Sequence, residues 1–107
     1  MSWTICYSAD ARQDLMDIYE YIAYNFSAPD TASAQYTRIV KAIRSLEELP
    51  MRHRLCDIEV LRNQGVRLFP VDNYLILYIA NTDTNTVNIA RVIHSSRDIP
   101  KAFFSVE

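Results

Sequence analysis

The stretch VRLFPVDNYLILYIANTDTNTVNIARVIH, residues 66–94, carries the clearest structural signal in this sequence. Its β-branched and aromatic residues predict three strands, at positions 66–71, 74–80 and 86–94. The Asp72-Asn73 pair suits a tight hairpin turn between the first two strands, and residues 81–85 suit a longer one. Pro70 has no backbone N–H to donate, so the first strand is expected at a sheet edge or at a bulge.

Two amphipathic helices are predicted upstream of these strands. After a short apolar strand at residues 3–7, Ser8 can cap a helix that ends near Asn25. Apolar residues at helical spacing form its buried stripe: Ala11, Leu15, Ile18, Tyr19, Ile22 and Phe26. Residues 27–30 break this helix, and a second helix follows that ends before Pro50. Its stripe has the same spacing: Ala32, Tyr36, Ile39, Val40, Ile43 and Leu46.

The remaining segments complete the predicted fold. Residues 51–65 are expected to be a loop or irregular stretch, and residues 95–107 a loop with a short segment anchored by Phe103 and Phe104. Packing both helices against one face of a small antiparallel sheet would bury both stripes. The sequence therefore predicts an α+β, two-layer fold of order β-α-α-β-β-β, with residues 1–107 forming one domain.

Composition excludes several classes of protein. Half of the residues are hydrophobic and 22% are charged, as in ordinary globular domains. The longest apolar run, residues 74–80, is far shorter than the roughly 18 residues that cross a bilayer, so we expect no membrane partner. Cys6 and Cys56 cannot form a disulfide framework, and a reduced, cytoplasmic setting is expected. His53 and Cys56 are too few to predict a metal site.

Charge is unevenly distributed along the chain. The net charge of −2 argues against a general nucleic-acid binder, which usually has a strongly basic face. Residues 1–50 contain four basic and seven acidic residues, whereas residues 51–107 contain seven basic and six acidic ones. A local basic site in the second half of the chain is therefore compatible with the sequence.

Three blocks of the second half carry a family resemblance. They are Gly65-x-Arg67, Val71-x-Asn73-Tyr74-Leu75-Ile76-x-Tyr78 and Arg91-Val92-Ile93-His94-x-x-Arg97-Asp98. Together with the predicted element order, they resemble the RelE/ParE superfamily of toxins from type II toxin–antitoxin systems over nearly the whole chain. The resemblance implies a growth-inhibiting toxin without a cofactor, neutralised by a cognate antitoxin protein. Operator DNA would be contacted only indirectly, through the antitoxin.

The superfamily divides by mechanism. RelE-like members cut messenger RNA in the ribosomal A site, whereas ParE-like members poison DNA gyrase and are not known to catalyse a reaction. Attack by a 2′-hydroxyl needs a base, an acid and cations that stabilise the phosphate. Here the strand arginine expected near Phe69 or Pro70 is missing, and no lysine lies between Lys41 and Lys101. These departures, with a pI near 5.6, favour the ParE-like branch.

Candidate site residues follow from the resemblance. A ribonuclease, the alternative function, would use four residues: Arg67, Arg91, His94 and Arg97. Partner binding would involve five: Arg67, Tyr74, Arg91, Arg97 and Asp98. We expect an amphipathic, acidic antitoxin segment to cover the three arginines of that set. A second alternative is a relative that binds antitoxin but has lost its toxicity.

Several of these residues also have structural interpretations. His94 would then hydrogen-bond the backbone at a strand end, and Arg97 would form a salt bridge with Asp98. Arg91 alternates with three apolar residues of its strand, Val87, Ile89 and Ile93. An arginine on that face is expected to pair with a carboxylate, for which Asp98 and Glu59 are candidates. Tyrosines off the main stripe of the first helix form a candidate exposed patch for a partner: Tyr21 and Tyr24.

Overall fold

A computed structural model describes residues 2–25 and 27–104 of the chain. Its elements, in chain order, are β1 (Thr4–Tyr7), α1 (Ala9–Glu20) with a π-helical continuation (Tyr21–Asn25), α2 (Pro29–Ser45), a 3-10 turn (Pro50–Arg52), α3 (Glu59–Arg62), β2 (Val66–Val71), β3 (Tyr74–Asn81), β4 (Thr86–His94) and α4 (Ile99–Phe103). The predicted α+β class and the β-α-α-β-β-β order of the main elements are confirmed. The prediction of a loop over residues 51–65 is wrong in part, because it includes α3. Phe26 lies outside the described residues.

Four strands form one sheet in the order β1-β4-β3-β2. The sheet is antiparallel except for β1, which pairs with β4 in parallel. Helices α1 and α2 cover one face, where their apolar stripes pack on Ile76, Tyr78 and Ile89. The opposite face is covered by the short helices α3 and α4 through Leu61 and Ala102. Within the described ranges, no helix has the length and apolarity that crossing a bilayer requires.

Helix α1 begins where the sequence predicts. The Oγ of Ser8 accepts a hydrogen bond from the backbone N–H of Ala11 at 2.9 Å, which caps the helix. Ala11 and Leu15 are buried against the sheet, as their spacing predicts. Asp14 is buried on the same side of the helix, although it is a charged residue. Burying a carboxylate costs free energy unless it is paired, so Asp14 requires a hydrogen-bonding or charged partner inside the fold.

The hairpin between β2 and β3 turns at Asp72-Asn73, as predicted. Asp72 has a positive φ of 55°, a conformation that aspartate tolerates better than most residues. Its carboxylate accepts hydrogen bonds from Arg38 at 2.7 Å and from Gln35 at 3.0 Å, both on α2. These two contacts tie the hairpin to the helical layer and hold the pKa of Asp72 below its ordinary value.

The outer edge of β2 is covered by residues 50–56, which we call the strap. The N–H of Cys56 donates to the carbonyl of Val66 at 2.8 Å, and the N–H of Leu68 donates to the carbonyl of Arg54 at 3.1 Å. Pro70 is the next residue that faces outward, and it has no N–H to leave unpaired. The prediction that Pro70 lies in an edge strand is confirmed.

Strand β4 contains a β-bulge. Leu77 of β3 lies opposite Arg91, but the next residue, Tyr78, lies opposite Ile89. Ala90 is therefore an extra residue in β4, and the bulge exchanges the faces that odd and even positions occupy. The bulge coincides with the point where β1 ends and α1 begins beside β4.

The bulge overturns one prediction about the face of Arg91. Before the bulge, Val87 and Ile89 pack under α1 and α2, and after it Val92 does so. Ile93 instead belongs to the apolar cluster on the opposite face. Arg91 lies two residues before Ile93 in the strand, so it is on that same face. The prediction that Arg91 lies on one face with Val87, Ile89 and Ile93 is therefore wrong. The single extra residue of the bulge places Arg91 on the face opposite to Val87 and Ile89.

Candidate functional site

Arg91 forms a buried ion pair with Asp14 of α1. Its Nε and Nη2 atoms each lie 2.8 Å from a carboxylate oxygen of Asp14, and both side chains are about nine-tenths buried. The same carboxylate accepts the backbone N–H of Val92 at 2.9 Å. The Nη1 of Arg91 donates to the carbonyl of Ala102 in α4. Arg91 therefore joins α1, β4 and α4, and it pairs with Asp14 instead of the suggested Asp98 or Glu59.

Arg67 also donates hydrogen bonds inside the fold. Its Nη1 lies 2.8 Å from the carbonyl of His53 and 3.3 Å from that of Met51, both in the strap. On the paired strand, the hydroxyl of Tyr78 donates to the carbonyl of Pro50 at 2.5 Å. Arg67 is half-buried and lies four residue pairs from the hairpin turn, roughly 13 Å along the strand. The structure therefore separates Arg67 from the other candidate residues.

Three predicted residues come together in a groove at the end of β4. Tyr74, His94 and Arg97 line one side of a cavity of about 570 Å³, which we call the β4 groove. The opposite wall comes from α1 and its π-helical continuation, and its members are Asp14, Asp17, Ile18, Tyr21 and Ile22. The prediction of an exposed Tyr21 and Tyr24 is confirmed, with 54% and 76% of their surfaces accessible.

Aromatic contacts order the sheet side of the β4 groove. The rings of Tyr74 and His94 meet edge to face, with centroids 5.6 Å apart. Burial, and secondarily the nearby Tyr21, raise the pKa of Tyr74, so its hydroxyl is protonated at neutral pH. The Nδ1 of His94 lies 2.8 Å from the Oγ of Ser96 and accepts the Ser96 N–H at 3.2 Å. His94 thus has the strand-end hydrogen bonds of its structural interpretation while its ring stays exposed.

The charges of the groove lie on opposite walls. Within residues 2–25 and 27–104, the exposed guanidinium of Arg97 has neither an ion pair nor a hydrogen-bond partner. The suggested Arg97–Asp98 salt bridge is absent there, because Asp98 caps α4 by accepting the N–H of Lys101 at 2.9 Å. Across the groove, Asp17 accepts a hydrogen bond from Gln13 at 2.8 Å. The groove can therefore bind groups of both signs at different points.

A second groove of about 510 Å³ lies between α1, α2 and β1. Its lining is mostly apolar and aromatic, with one basic residue: Tyr7, Arg12, Leu15, Met16, Tyr19, Tyr36 and Val40. The rings of Tyr19 and Tyr36 meet edge to face with centroids 6.4 Å apart. We call this surface the helical groove. Its composition is typical of a surface that binds another protein.

One functional-site residue was missed in the sequence, namely Asp14. The available signal was its position on the apolar stripe of α1, three residues after Ala11 and four before Ile18. A carboxylate at such a position predicts a buried cationic partner. Among the residues that the structure describes, no three His, Cys, Asp or Glu side chains cluster in a way that could hold a metal ion.

Comparison with known proteins gives the family. The family model for the ParE toxin of the type II toxin–antitoxin system parDE matches residues 5–99. The chain belongs to the ParE toxin family. No protein of curated function matches it closely enough to add to this.

Solved structures agree with the ParE fold. A chromosomal ParDE toxin–antitoxin system from P. aeruginosa matches with a TM-score of 0.70 and 17% identity, over 87% of this chain and 96% of that one. The toxin–antitoxin complex RelBE2 from Mycobacterium tuberculosis matches with a TM-score of 0.63 and 24% identity, over 88% and 99% of the two chains. At these identities the likeness shows the RelE/ParE fold, in keeping with membership of the ParE family.

Proposed function

We propose that this ParE-family toxin acts by binding DNA gyrase rather than by cutting RNA, and that a cognate antitoxin neutralises it. The observation that carries the proposal is how the chain uses its arginines. Two of the four candidate catalytic groups, Arg67 and Arg91, already donate to carbonyls and to a carboxylate within the fold. Of the four groups, His94 and Arg97 remain in the β4 groove. Arg97 would then be the one arginine of the set that could stabilise a phosphate as it gains negative charge in the transition state.

The sheet itself supports a binding function. Its second face is apolar at Leu68, Leu77 and Ile93, and α3 and α4 cover it. A ribonuclease of this fold class would need accessible cations and an acid–base pair on the strands. The helical groove has mostly aromatic and aliphatic walls, and the β4 groove combines such walls with Asp17, His94 and Arg97, which suits contact with proteins such as gyrase and the antitoxin.

Purified protein tests this proposal. We expect the chain to inhibit plasmid supercoiling by DNA gyrase, or to trap cleaved plasmid DNA, and to leave messenger RNA on translating ribosomes intact. Arg97→Glu is expected to weaken gyrase inhibition, because it reverses the charge in the β4 groove. Arg62→Glu is the matched control, since Arg62 is an exposed arginine on α3 outside both grooves. Ribosome-dependent RNA cleavage without an effect on gyrase would contradict the proposal.

The RelE-like alternative has one supporting observation. The exposed imidazole of His94 and the guanidinium of Arg97, which has no partner among the described residues, share a groove with Tyr21 and Tyr74, whose rings could stack on bases. On this alternative, His94→Ala abolishes messenger RNA cleavage and leaves the fold intact. The non-toxic alternative is distinguished by harmless expression of the chain without its antitoxin.

A further inference from the structure

β1 is the outermost strand of the sheet on the side opposite β2. Its even positions pair with β4, since the N–H of Thr4 donates to the carbonyl of Asn85 at 3.1 Å. Successive residues of a paired strand direct their main-chain groups to opposite sides, so the odd positions of β1 face away from the sheet. Trp3 has this direction, because its N–H donates at 2.9 Å to the carbonyl of Glu47, which lies outside the sheet.

Two residues of β1 therefore present main-chain groups along an open edge. Among the residues that the structure describes, neither the N–H nor the carbonyl of Ile5 or Tyr7 has a hydrogen-bond partner. The strand contains no charged residue and no proline, which are common means of protecting an edge. Beyond Glu47, no described main-chain segment pairs with this edge as the strap pairs with β2.

We propose that β1 pairs with β1 of a second copy of this chain, antiparallel and around a two-fold axis, so that the two sheets continue as one. A two-fold interface is self-complementary, because every contact is made twice. Ile5 of one copy lies opposite Tyr7 of the other, and each such pair exchanges both of its hydrogen bonds. This inference goes beyond the proposed function, because it concerns association of the chain with itself at an edge away from the β4 groove.

The covered ends of β1 select one register for this pairing. An axis nearer the start of the strand would pair Trp3, whose N–H already donates to Glu47. An axis nearer its end would need residues of α1, which begins at Ala9 and leaves the sheet. An axis at Cys6 uses the two residues with unpaired groups and no others. The second copy then turns into its own α1 before it reaches the place that Glu47 occupies.

In this register, Cys6 faces its own counterpart across the axis. The pair is of the non-hydrogen-bonded kind, in which the two Cα atoms lie about 4.5 Å apart. The side chains of Ile5 and Tyr7 pack under the long helices, so that of Cys6 points to the opposite face, where it is exposed. A Cα separation of about 4.5 Å is within the range of a disulfide, and Cys6 can therefore report the register.

The helical groove adds apolar surface beside the same edge. Tyr7 lines it together with the exposed Met16 and Tyr36, and the two-fold axis brings both grooves to one side of the joined sheet. The net charge of −2 is small, so two copies repel each other little. Two short strands still make a small interface, and small interfaces are weak and transient. We therefore expect a reversible dimer that forms at high protein concentration.

Thiol oxidation of the purified full chain tests the register. We expect diamide, which is reduced as it takes up the two hydrogen atoms of two thiols, to produce a dimer joined by Cys6. Cys56→Ser should cross-link as the parent does, because Cys56 is buried. The matched control is Thr4→Cys combined with Cys6→Ser, which moves the thiol along the same exposed face. Those thiols would lie roughly 13 Å apart along the strands, so cross-linking should fall at least about tenfold.

Sedimentation equilibrium under reducing conditions tests the association itself. We expect dimers of the parent chain at millimolar concentration, with hydrogen exchange at the Ile5 and Tyr7 amides slowing as concentration rises and that of Trp3 unchanged. Cys6→Lys and Cys6→Glu each place two like charges opposite each other, and each should weaken the dimer about tenfold. An equimolar mixture of these two variants should regain the dimer, because opposite charges then face each other.

Three results would overturn the inference. They are a parent chain that stays monomeric at millimolar concentration, equal cross-linking from positions 4 and 6, and a mixture of the Lys and Glu variants that regains no dimer. Each variant changes an exposed side chain of β1, so circular dichroism should show an unchanged fold. Gyrase and growth assays are read separately, so a failed dimer test leaves the gyrase proposal standing, and the reverse also holds.

Discussion

The two edges of the sheet are closed in different ways. Along β2, the main chain of the strap pairs with Val66 and Leu68, and Pro70 removes the next outward donor. Along β4 beyond the bulge, the side chain of Asp14 covers the edge by accepting the N–H of Val92, and Asp14 also lines the β4 groove. The difference shows that the fold protects its two edges by different means, main-chain pairing along β2 and a buried carboxylate along β4.

The arginines beside the two edges also differ in what they contact. Arg52 and Arg67 donate to main-chain carbonyls around the strap and stabilise the closed edge. Arg91 is buried with Asp14 beside the other edge, while Arg97 lies at its open end. Arginines that look alike in the sequence therefore have different functions in the fold.

Removing the carboxylate beside the open edge should have the largest effect. Asp14→Ala leaves the buried guanidinium of Arg91 and the N–H of Val92 without this partner. We expect a loss of about 3–5 kcal/mol in the free energy of unfolding, measured by urea denaturation. The matched control is Asp17→Ala, one helical turn away and exposed, which should change stability by no more than about 0.5 kcal/mol. Similar effects for the two variants would show that the ion pair does not organise this edge.

Weakening the contacts of the strap along β2 should lower the free energy of unfolding by less than Asp14→Ala does. Tyr78→Phe removes the buried hydroxyl that donates to the carbonyl of Pro50, so that carbonyl loses this partner. The expected loss is about 1–2 kcal/mol in the same denaturation experiment. Tyr24→Phe is the control, because Tyr24 is 76% exposed. A neutral Tyr78→Phe variant would mean that the strap is held by its main-chain contacts alone.

The strap should also make stability depend on pH. The ring of His53 stacks on Phe69 with centroids 3.8 Å apart, and its buried Nε2 has no hydrogen-bond partner within the described residues. Burial, and secondarily the charge of Arg52, lower the pKa of His53 from its ordinary 6.5. The folded state therefore binds the proton less well than the unfolded state, and stability declines as the pH falls from 6.5 toward the lowered pKa.

Two substitutions locate that pH dependence. His53→Phe keeps an aromatic ring against Phe69 and should flatten the decline in urea midpoint below pH 6.5. His94→Ala removes the other histidine and should preserve the decline. The low pKa of Asp72 gives a separate loss of stability that begins as the pH falls to about its ordinary 3.8, and His53→Phe should leave that loss unchanged. An unchanged decline in His53→Phe would contradict the assignment.

The smallest effect is expected at Pro70. Pro70→Ala restores an outward N–H on the closed edge without removing a contact of the core, so stability should change by about 0.5 kcal/mol or less. The measurable consequence is association, because an unpaired donor is added to an edge strand. Light scattering at high concentration should show more self-association than in the parent chain. A variant that stays as monodisperse as the parent would show that the strap alone protects this edge.

Much of the fold was predictable because its signals are local. Helical spacing located both long helices, and the Asp72-Asn73 pair and Pro70 predicted the hairpin and the edge strand. Helices α3 and α4 were not predicted as helices, since each spans five residues or fewer and depends on contacts with the second face of the sheet. Short helices have little intrinsic stability, so their sequences give a weak signal.

The candidate site was predictable only in part. The sequence correctly placed His94 at the end of β4 and Arg97 just beyond it, while the functions assigned to these residues stay predictions. The partner of Arg91 and its face were not predicted correctly, because both depend on the bulge at Ala90. One inserted residue leaves no clear mark in an alternating pattern, and the contact with Asp14 spans 77 positions of sequence.

The proposal that the toxin acts on gyrase is tested most directly in growing bacteria. The chain is induced without its antitoxin, and incorporation of labelled thymidine and labelled methionine is followed over the first minutes. We predict that thymidine incorporation falls first, because blocked gyrase stops DNA synthesis before protein synthesis is affected. An earlier collapse of methionine incorporation would contradict the account in favour of messenger RNA cleavage, and an unchanged rate of both would show that the chain is not toxic.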